Sequence, residues 1–311
     1  MTTHARRIAV ATCRDAWRAD EDAPLLAEAL AAAGIDAVEE IWDDPAVDWA
    51  AYDMVVIRST WDYALRRDEF VAWADRVAAA TELRNPAALV RWNTDKRYLA
   101  ELAADGVPVA PTEFLLPGGS VTEPAALADR LTEVVGRTSG FVVKPTVSAG
   151  SKDTVRYAAL DEDPGGLATA AAQAAELLGA DRPVMVQPYL AAVDTEGETG
   201  LVFLGGRFSH AFRKGPLLEV GGGPVTELYA LEAISPRTAT EAQRDVAERV
   251  LAAARARTGV QELYARVDLL PDEDGTPVLL ELELTEPSFF LSTDAGAAAR
   301  AAGAIVAALD A

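Results

Sequence analysis

The chain has 311 residues, half of them hydrophobic, and a formal net charge of −21. That length allows two domains, or one domain with subdomains, around a sizeable core. So acidic a protein is a poor match for nucleic acid or anionic membrane surfaces, and any polyanion it binds must be met by a local basic site.

Ile8-Ala9-Val10-Ala11-Thr12 reads as a short buried strand. The run closes at Cys13-Arg14-Asp15, too short for a signal-peptide core or a membrane span. Cys13 is the sole cysteine, which excludes an intrachain disulfide and fits a reducing cytoplasm. A helix is predicted from about Ala23 to Ala33, stopped by Gly34. Strands follow at Asp36 to Ile41 and at Met54-Val55-Val56-Ile57, then an amphipathic helix over Asp68 to Ala80. Alternating strands and helices imply a small parallel α/β sheet, whose ligands gather beyond the carboxyl ends of the strands. Two polar runs fall there: the one holding Arg14, and Arg58-Ser59-Thr60-Trp61-Asp62-Tyr63. The second offers a fork-shaped cation, hydroxyls and aromatics suited to a small substrate bearing a carboxylate, or else a cover for the sheet.

Composition shifts near Arg91-Trp92-Asn93-Thr94, where a boundary is placed. Asn93 or Thr94 can cap a helix containing Lys96, an ammonium that then asks for a nearby anion. After a helix over Glu123 to Val135, Phe141-Val142-Val143-Lys144 ends in a lysine followed by the small-residue loop Ser148-Ala149-Gly150-Ser151. Backbone N–H groups of such a loop can approach phosphate oxygens while the lysine supplies a point charge; a plain hairpin turn has the same outline. No Walker motif is present, because the lysine precedes the small residues. Val184 to Leu190 is a buried strand broken at Pro188. Asp194, Glu196 and Glu198 precede strands at Leu201 to Leu204 and Arg207 to Phe212, and the second ends in Arg213-Lys214. Gly221-Gly222-Gly223-Pro224 reads as a mobile loop. A long helix over Thr240 to Arg257 comes before the last hairpin, and an Ala-rich helix over Asp294 to Leu309 closes the chain.

That hairpin joins Leu263 to Leu270 with Pro277 to Leu284 through Asp272-Glu273-Asp274-Gly275. Alternation puts Tyr264, Arg266 and Asp268 on one face with Glu281 and Glu283, and Ala265, Val267, Leu269, Leu280, Leu282 and Leu284 on the other. An antiparallel register sets Asp268 opposite Glu281 and Arg266 opposite Glu283. One guanidinium cannot neutralise three carboxylates, so the patch asks for a hard divalent cation; a solvated acidic face is the alternative. No general base stands out. His4 falls in a tail, His210 on a strand reads as packed or pocket-lining, and Cys13 reads as packing.

Taken in order, Lys96, Lys144 with its loop, Gln187-Pro188-Tyr189-Leu190, an acid before the next strand, Arg213-Lys214, Arg266-Val267-Asp268 and Glu281-Leu282-Glu283 resemble the ATP-grasp superfamily of carboxylate–amine ligases. Val147 to Gly150, Asp194 to Glu198 and Ser209 to Lys214 are most similar to its cyclo-ligase branch, which closes O-ureido-D-serine to cycloserine. The resemblance implies an α/β ATP-grasp fold, with nucleotide held between two β-sheets. It divides the chain into a Rossmann-like domain at 1–92, a central subdomain at 93–186 and a C-terminal subdomain at 187–311. It implies that Lys96, Lys144, Ser148, Gly150 and Ser151 contact ATP phosphates, and that Gln187, Tyr189 and Leu190 read adenine. Glu198, or else Asp194, takes the ribose, and Lys214 touches the nucleotide. Asp268, Glu281 and Glu283 hold two Mg²⁺, with Mn²⁺ as a substitute, and Glu283 departs from the asparagine common at its position. Arg266 and Lys144 act in phosphoryl transfer, and Arg14, Arg58, Ser59, Thr60, Trp61 and Glu286 face a small amino-acid-like substrate. The implied activity is a cytoplasmic ATP-dependent ligase working through an acyl phosphate and releasing ADP and phosphate, with homo-oligomers left open. An intermolecular amino-acid ligase and a non-catalytic nucleotide-binding relative are the competing readings.

Overall fold

The computed structural model describes residues 6–17, 19–119, 123–136, 138–222 and 233–311. His4 and the Gly223-Pro224 part of the glycine run lie outside them. Strands Arg7–Thr12 (β1), Asp36–Ile41 (β2), Met54–Ile57 (β3) and Glu82–Arg84 (β4) form a parallel sheet in the order β2-β1-β3-β4. The two central strands are apolar runs because helices cover both faces. Leu26 and Leu30 of helix Asp22–Ala32 pack with Ile8, Val10 and Met54. On the other side Phe70, Trp73 and Val77 of helix Arg67–Ala80 pack with Ala9, Ala11 and Val55.

A second, antiparallel sheet comprises Glu113–Leu115 (β5), Phe141–Pro145 (β6), Val155–Tyr157 (β7) and Val184–Pro188 (β8), ordered β5-β8-β6-β7. Helices Pro124–Val135 and Pro164–Gly179 cover one face of it through Leu127, Leu131, Ala170 and Ala174.

The third sheet holds Glu198–Leu204 (β9), Arg207–Lys214 (β10), Ile234–Arg237 (β11), Tyr264–Pro271 (β12) and Pro277–Glu283 (β13), ordered β11-β10-β9-β12-β13. The hairpin has the register that alternation requires, Arg266 opposite Glu283 and Asp268 opposite Glu281. It also has a feature that alternation hides. The pairing shifts after Asp268, so that Leu269 faces Leu279 and Leu280 is left over as a bulge residue. Leu279, Leu282 and Leu284 therefore enter the core beneath helix Glu241–Thr258, while Leu280, expected there, turns toward the opposite face beside Glu281.

β13 is the sheet edge, and its backbone is satisfied by segments distant in sequence. Asn93 donates to the Leu282 carbonyl (2.8 Å) and accepts from the Leu284 N–H (2.7 Å). Tyr98 Oη donates to the same Leu282 carbonyl, and Leu279 accepts from and donates to the chain at Pro108 to Ala110. Asn93 thus anchors the hairpin rather than capping a helix. The helix after it spans Tyr98–Ala104, and Lys96 precedes its first turn. The last helix, Ala297–Leu309, returns to pack on helix Asp22–Ala32. Among the described residues no helix is long and apolar enough to cross a membrane.

Candidate active site

A cleft of about 530 Å³ is lined from both antiparallel sheets, with Asp20 to Asp22 and Trp61 of the N-terminal unit completing its wall. Its cations come from separate places in the chain. Lys144, near the end of β6, projects into it alongside Lys96, Lys214 and Arg266. Among the described residues Lys144 has no ion-pair partner within 4.0 Å. Burial lowers its pKa, partly offset by Glu281, so the site holds a cation that gains from an anion. Lys96 is 6% exposed. Its Nζ donates to the Ser148 carbonyl (2.7 Å) and to Ser148 Oγ (3.2 Å), and lies 3.1 Å from Glu281 Oε1. One ammonium therefore ties the small-residue loop to the hairpin. The loop turns through left-handed backbone at Gly150 (φ 59°) and Ser151 (φ 61°), the former a conformation glycine adopts without strain.

At the other end the lining is apolar. Val142, Tyr189, Val193 and Leu270 form a small core with Leu190, Leu218 and Leu280 against it, a slot suited to a flat heteroaromatic ring. Gln187 Nε2 donates to Thr112 Oγ1 (2.9 Å). Glu198 and Lys214 are cross-strand partners on the cleft wall, 3.3 Å apart. Asp194 points elsewhere, accepting from the Tyr189 hydroxyl (2.6 Å) and from Arg156 (3.2 Å), which stacks on the Tyr189 ring.

The hairpin supplies the acids. Arg266 donates through Nε and Nη2 to Asp268 (2.9 and 2.8 Å) and also to Glu283, while Lys96 takes Glu281. Asp268 is 1% exposed and sits behind Arg266, whereas Glu281, Glu283 and Glu286 face the cleft. Among the described residues no three acidic, histidine or cysteine side chains converge as a ready ligand set, so the expected Asp268-Glu281-Glu283 triad is not gathered. The guanidinium lies between two of its members. Burial and the neighbouring carboxylates nevertheless push Glu283 up to about 8 and Glu286 up to about 7, although Arg266 lowers Glu283 and Tyr63 lowers Glu286. Burial also works against the charged form of Glu281, but the three lysines bring it down to about 2. Two carboxyls that favour protons beside one that does not mark a site short of positive charge. Its donors are all hard oxygens, the chemistry that suits Mg²⁺ bound by one or two carboxylates together with phosphate oxygens.

The N-terminal polar runs divide. Trp61 lines the cleft and donates from Nε1 to the Glu286 carbonyl (3.2 Å). Arg58, Ser59 and Thr60 are buried behind it, and Arg14 is exposed away from the lining residues. Arg58 is held by Asp22 (3.3 Å) and Asp20 (3.8 Å), lies over the Phe289 ring and donates to the Pro287 carbonyl (2.7 Å). A substrate carboxylate would have to displace all of these. Asp22, which sequence reasoning did not single out, accepts from the N–H groups of Phe289 (2.6 Å), Phe290 (3.0 Å) and Leu291 (2.7 Å). An acid in the first turn of a helix suits the helix dipole, and that local fit leaves no sign of partners so far along the chain. Tyr63, an aromatic of the same run as Arg58, is buried and does not itself line the cleft. Its buried phenol hydrogen-bonds Glu286, which together with burial holds the phenol protonated. His210 is buried outside this cleft, with Nε2 donating to the Phe289 carbonyl (2.7 Å), and Cys13 is buried in the N-terminal core.

Two antiparallel sheets that enclose a cleft lined by lysines on one side and acids on the other, behind a parallel α/β unit, define an ATP-grasp ligase. The ATP-grasp ligase PsnB, solved with a precursor peptide and AMPPNP and also with Mg and ADP, shares this fold at a TM-score of 0.61 for the AMPPNP complex, with 19% identity over 98% of both chains. Residues 8–85 match the family described as D-cycloserine synthetase DcsG, N-terminal domain. The chain is 42% identical over 288 residues to the cycloserine biosynthesis protein DcsG of Streptomyces lavendulae, covering 92% of this chain and 93% of that one. It superposes on the crystal structure of D-cycloserine synthetase DcsG with a TM-score of 0.88 and 40% identity, covering 97% and 99% of the two chains. The chain belongs to the DcsG family of ATP-grasp ligases.

Proposed function

We propose that this protein uses ATP and Mg²⁺ to form a C–N bond on a small amino-acid-like substrate through an acyl phosphate, with ring closure of O-ureido-D-serine as the reaction. The observation that carries this reading is the convergence of Lys96, Lys144, Lys214 and Arg266 with Glu281 and Glu283 on one cleft of a chain of net charge −21. Basic groups are gathered where a triphosphate needs them, and acids where metal would bridge it.

In this reading the units are 1–92, 93–186 and 187–311, with the last helix folded back on the first unit. Adenine occupies the apolar slot at Tyr189, Leu190 and Leu270, reached from the Gln187 to Leu190 backbone, and Glu198 takes the ribose. Lys144, Lys96 and the Ser148 to Ser151 loop hold the phosphates. Glu281 and Glu283 would hold Mg²⁺, with Asp268, paired with Arg266, as the third acid of the set. The metal, when bound, shields the phosphate charge and orients the γ-phosphoryl group. Arg266 and Lys144 neutralise the charge that otherwise repels an attacking carboxylate. Trp61 and Glu286 bound the substrate end. Nitrogen and acyl phosphate then belong to one molecule, so proximity favours closure.

The test is isotope transfer. With an ¹⁸O-labelled substrate carboxylate, released phosphate carries ¹⁸O if the carboxylate attacks ATP. Turnover that yields unlabelled phosphate excludes the acyl phosphate.

A further inference from the structure

We propose that Glu286 is the general base of the C–N bond-forming step, taking the proton from the attacking nitrogen. This assignment rests on the ligase reading of the cleft. Glu286 belongs to the turn that follows β13, lines the cleft beside Trp61 and Ser288, and is 8% exposed. Its backbone is fixed from both sides, by the Trp61 indole on its own carbonyl and by Arg58 on the Pro287 carbonyl.

The neighbouring acids are committed to cations: Glu281 to Lys96, and Asp268 and Glu283 to Arg266. Among the described residues Glu286 makes no ion pair, and its partner is the Tyr63 phenol. The groups whose charge it feels are Lys96, Arg266, Glu281 and Glu283. Burial against this set leaves the carboxyl titrating near neutrality, where a base is most effective. Other groups are poorly placed. His210 lies outside the cleft and uses Nε2 on a carbonyl, and Tyr63 is held protonated by burial and by Glu286 itself.

In O-ureido-D-serine the attacking nitrogen is the one bonded to the side-chain oxygen, and closure onto the acyl carbon makes a five-membered ring. The nitrogen lone pair forms the C–N bond, its N–H proton passes to a Glu286 carboxylate oxygen, and the acyl C–O bond breaks as phosphate leaves with the bonding pair, giving a ring that still carries the carbamoyl group on its nitrogen. Cycloserine follows when that N–C bond breaks, one terminal N–H proton moving to the ring nitrogen and the carbamoyl carbon leaving as isocyanic acid. A nitrogen next to a carbonyl is a weak nucleophile until it loses that proton. Hydroxylamine, in contrast, has a free lone pair at neutral pH and needs no base to capture an acyl phosphate.

This difference supplies the experiment. Full-length protein is incubated with ATP, Mg²⁺ and O-ureido-D-serine, with and without excess hydroxylamine, and ring-closed product and hydroxamate are measured. For Glu286→Gln the expected result is ring closure reduced by roughly 10²–10⁴-fold, with hydroxamate within about threefold of wild type. Glu286→Asp, which keeps a carboxylate, should recover part of the ring closure. Ring closure by Glu286→Gln within about tenfold of wild type overturns the assignment, being below the general-base range. Equal loss of ring closure and hydroxamate also overturns it, since activation or folding would then be at fault. If wild-type protein closes the ring but gives no hydroxamate, the acyl phosphate itself fails, and this assignment fails with it.

Discussion

Replacing Asp22 with alanine should loosen the cleft from behind. The Asp22 carboxylate, in a residue 4% exposed, accepts three backbone N–H groups at 2.6–3.0 Å and meets the Arg58 guanidinium at 3.3 Å. Alanine leaves those donors without acceptors, each costing about 1–3 kcal/mol when buried. Arg58 keeps Asp20 at 3.8 Å and so is not stranded. Allowing water to reach part of the gap, the total is roughly 3–5 kcal/mol. The unfolding entropy for a chain of this length is about 0.65 kcal/mol/K, which translates the loss into a fall in melting temperature of about 5–8 °C. Calorimetry measures the fall, and hydrogen exchange locates it. The amides of Phe289, Phe290 and Leu291 should lose protection while those of β6 and β8 keep theirs. Melting within about 1 °C of wild type, against a cost of several kcal/mol, would refute the argument. So would unchanged protection at the three amides.

Lys144→Ala should weaken ATP binding by roughly 10–100-fold, the loss of one charge-assisted contact, and titration calorimetry showing unchanged affinity would count against its phosphate role. Glu281→Gln should abolish Mg²⁺-dependent turnover with the circular dichroism spectrum preserved; turnover at the wild-type rate removes Glu281 from the metal site. Tyr63→Phe should move the acid limb of the pH–rate profile to higher pH. The phenol lowers the Glu286 pKa from what burial alone would give, so its removal raises that pKa above about 7 and shrinks the ionised fraction at any given pH near neutrality. An acid limb at the wild-type position would separate Tyr63 from the titrating group.

The hairpin shows how far local pattern reaches. The alternation in Tyr264 to Leu270 and Pro277 to Glu283 correctly paired Arg266 with Glu283 and Asp268 with Glu281, because a slip of one residue would bury carboxylates. It misplaced Leu280, since a bulge adds a residue without disturbing the apolar-polar rhythm enough to announce itself. Lys96 reads from the sequence as a cation in a capped helix that asks for a nearby anion; the anion is there, but the helix setting is not. It lies ahead of a helix and bridges Ser148 to Glu281, two residues far along the chain.

By itself the sequence determined the strands and helices whose periodicity is strong, the acidic face of the hairpin, and the ordered set of lysines and acids that identifies the ligase class. Those features depend on neighbours a few residues away, where side-chain direction follows from backbone geometry. Only the tertiary structure decided that Arg58 supports the cleft wall instead of facing substrate, that Asp268 sits behind Arg266, and that Asp22 holds the backbone at Phe289 to Leu291, just beyond the turn carrying Glu286. The reason is physical. The buried polar groups of these residues are satisfied by backbone and charges more than two hundred positions away in the case of Arg58 and Asp22. For Asp268 a single guanidinium lying in the same patch decides the outcome. The long-range pairings of Arg58 and Asp22 arise when the sheets close on one another, and no local pattern encodes them; Arg266 and Asp268 lie two residues apart on one strand face, and what local pattern leaves open is which of the carboxylates around it the guanidinium takes.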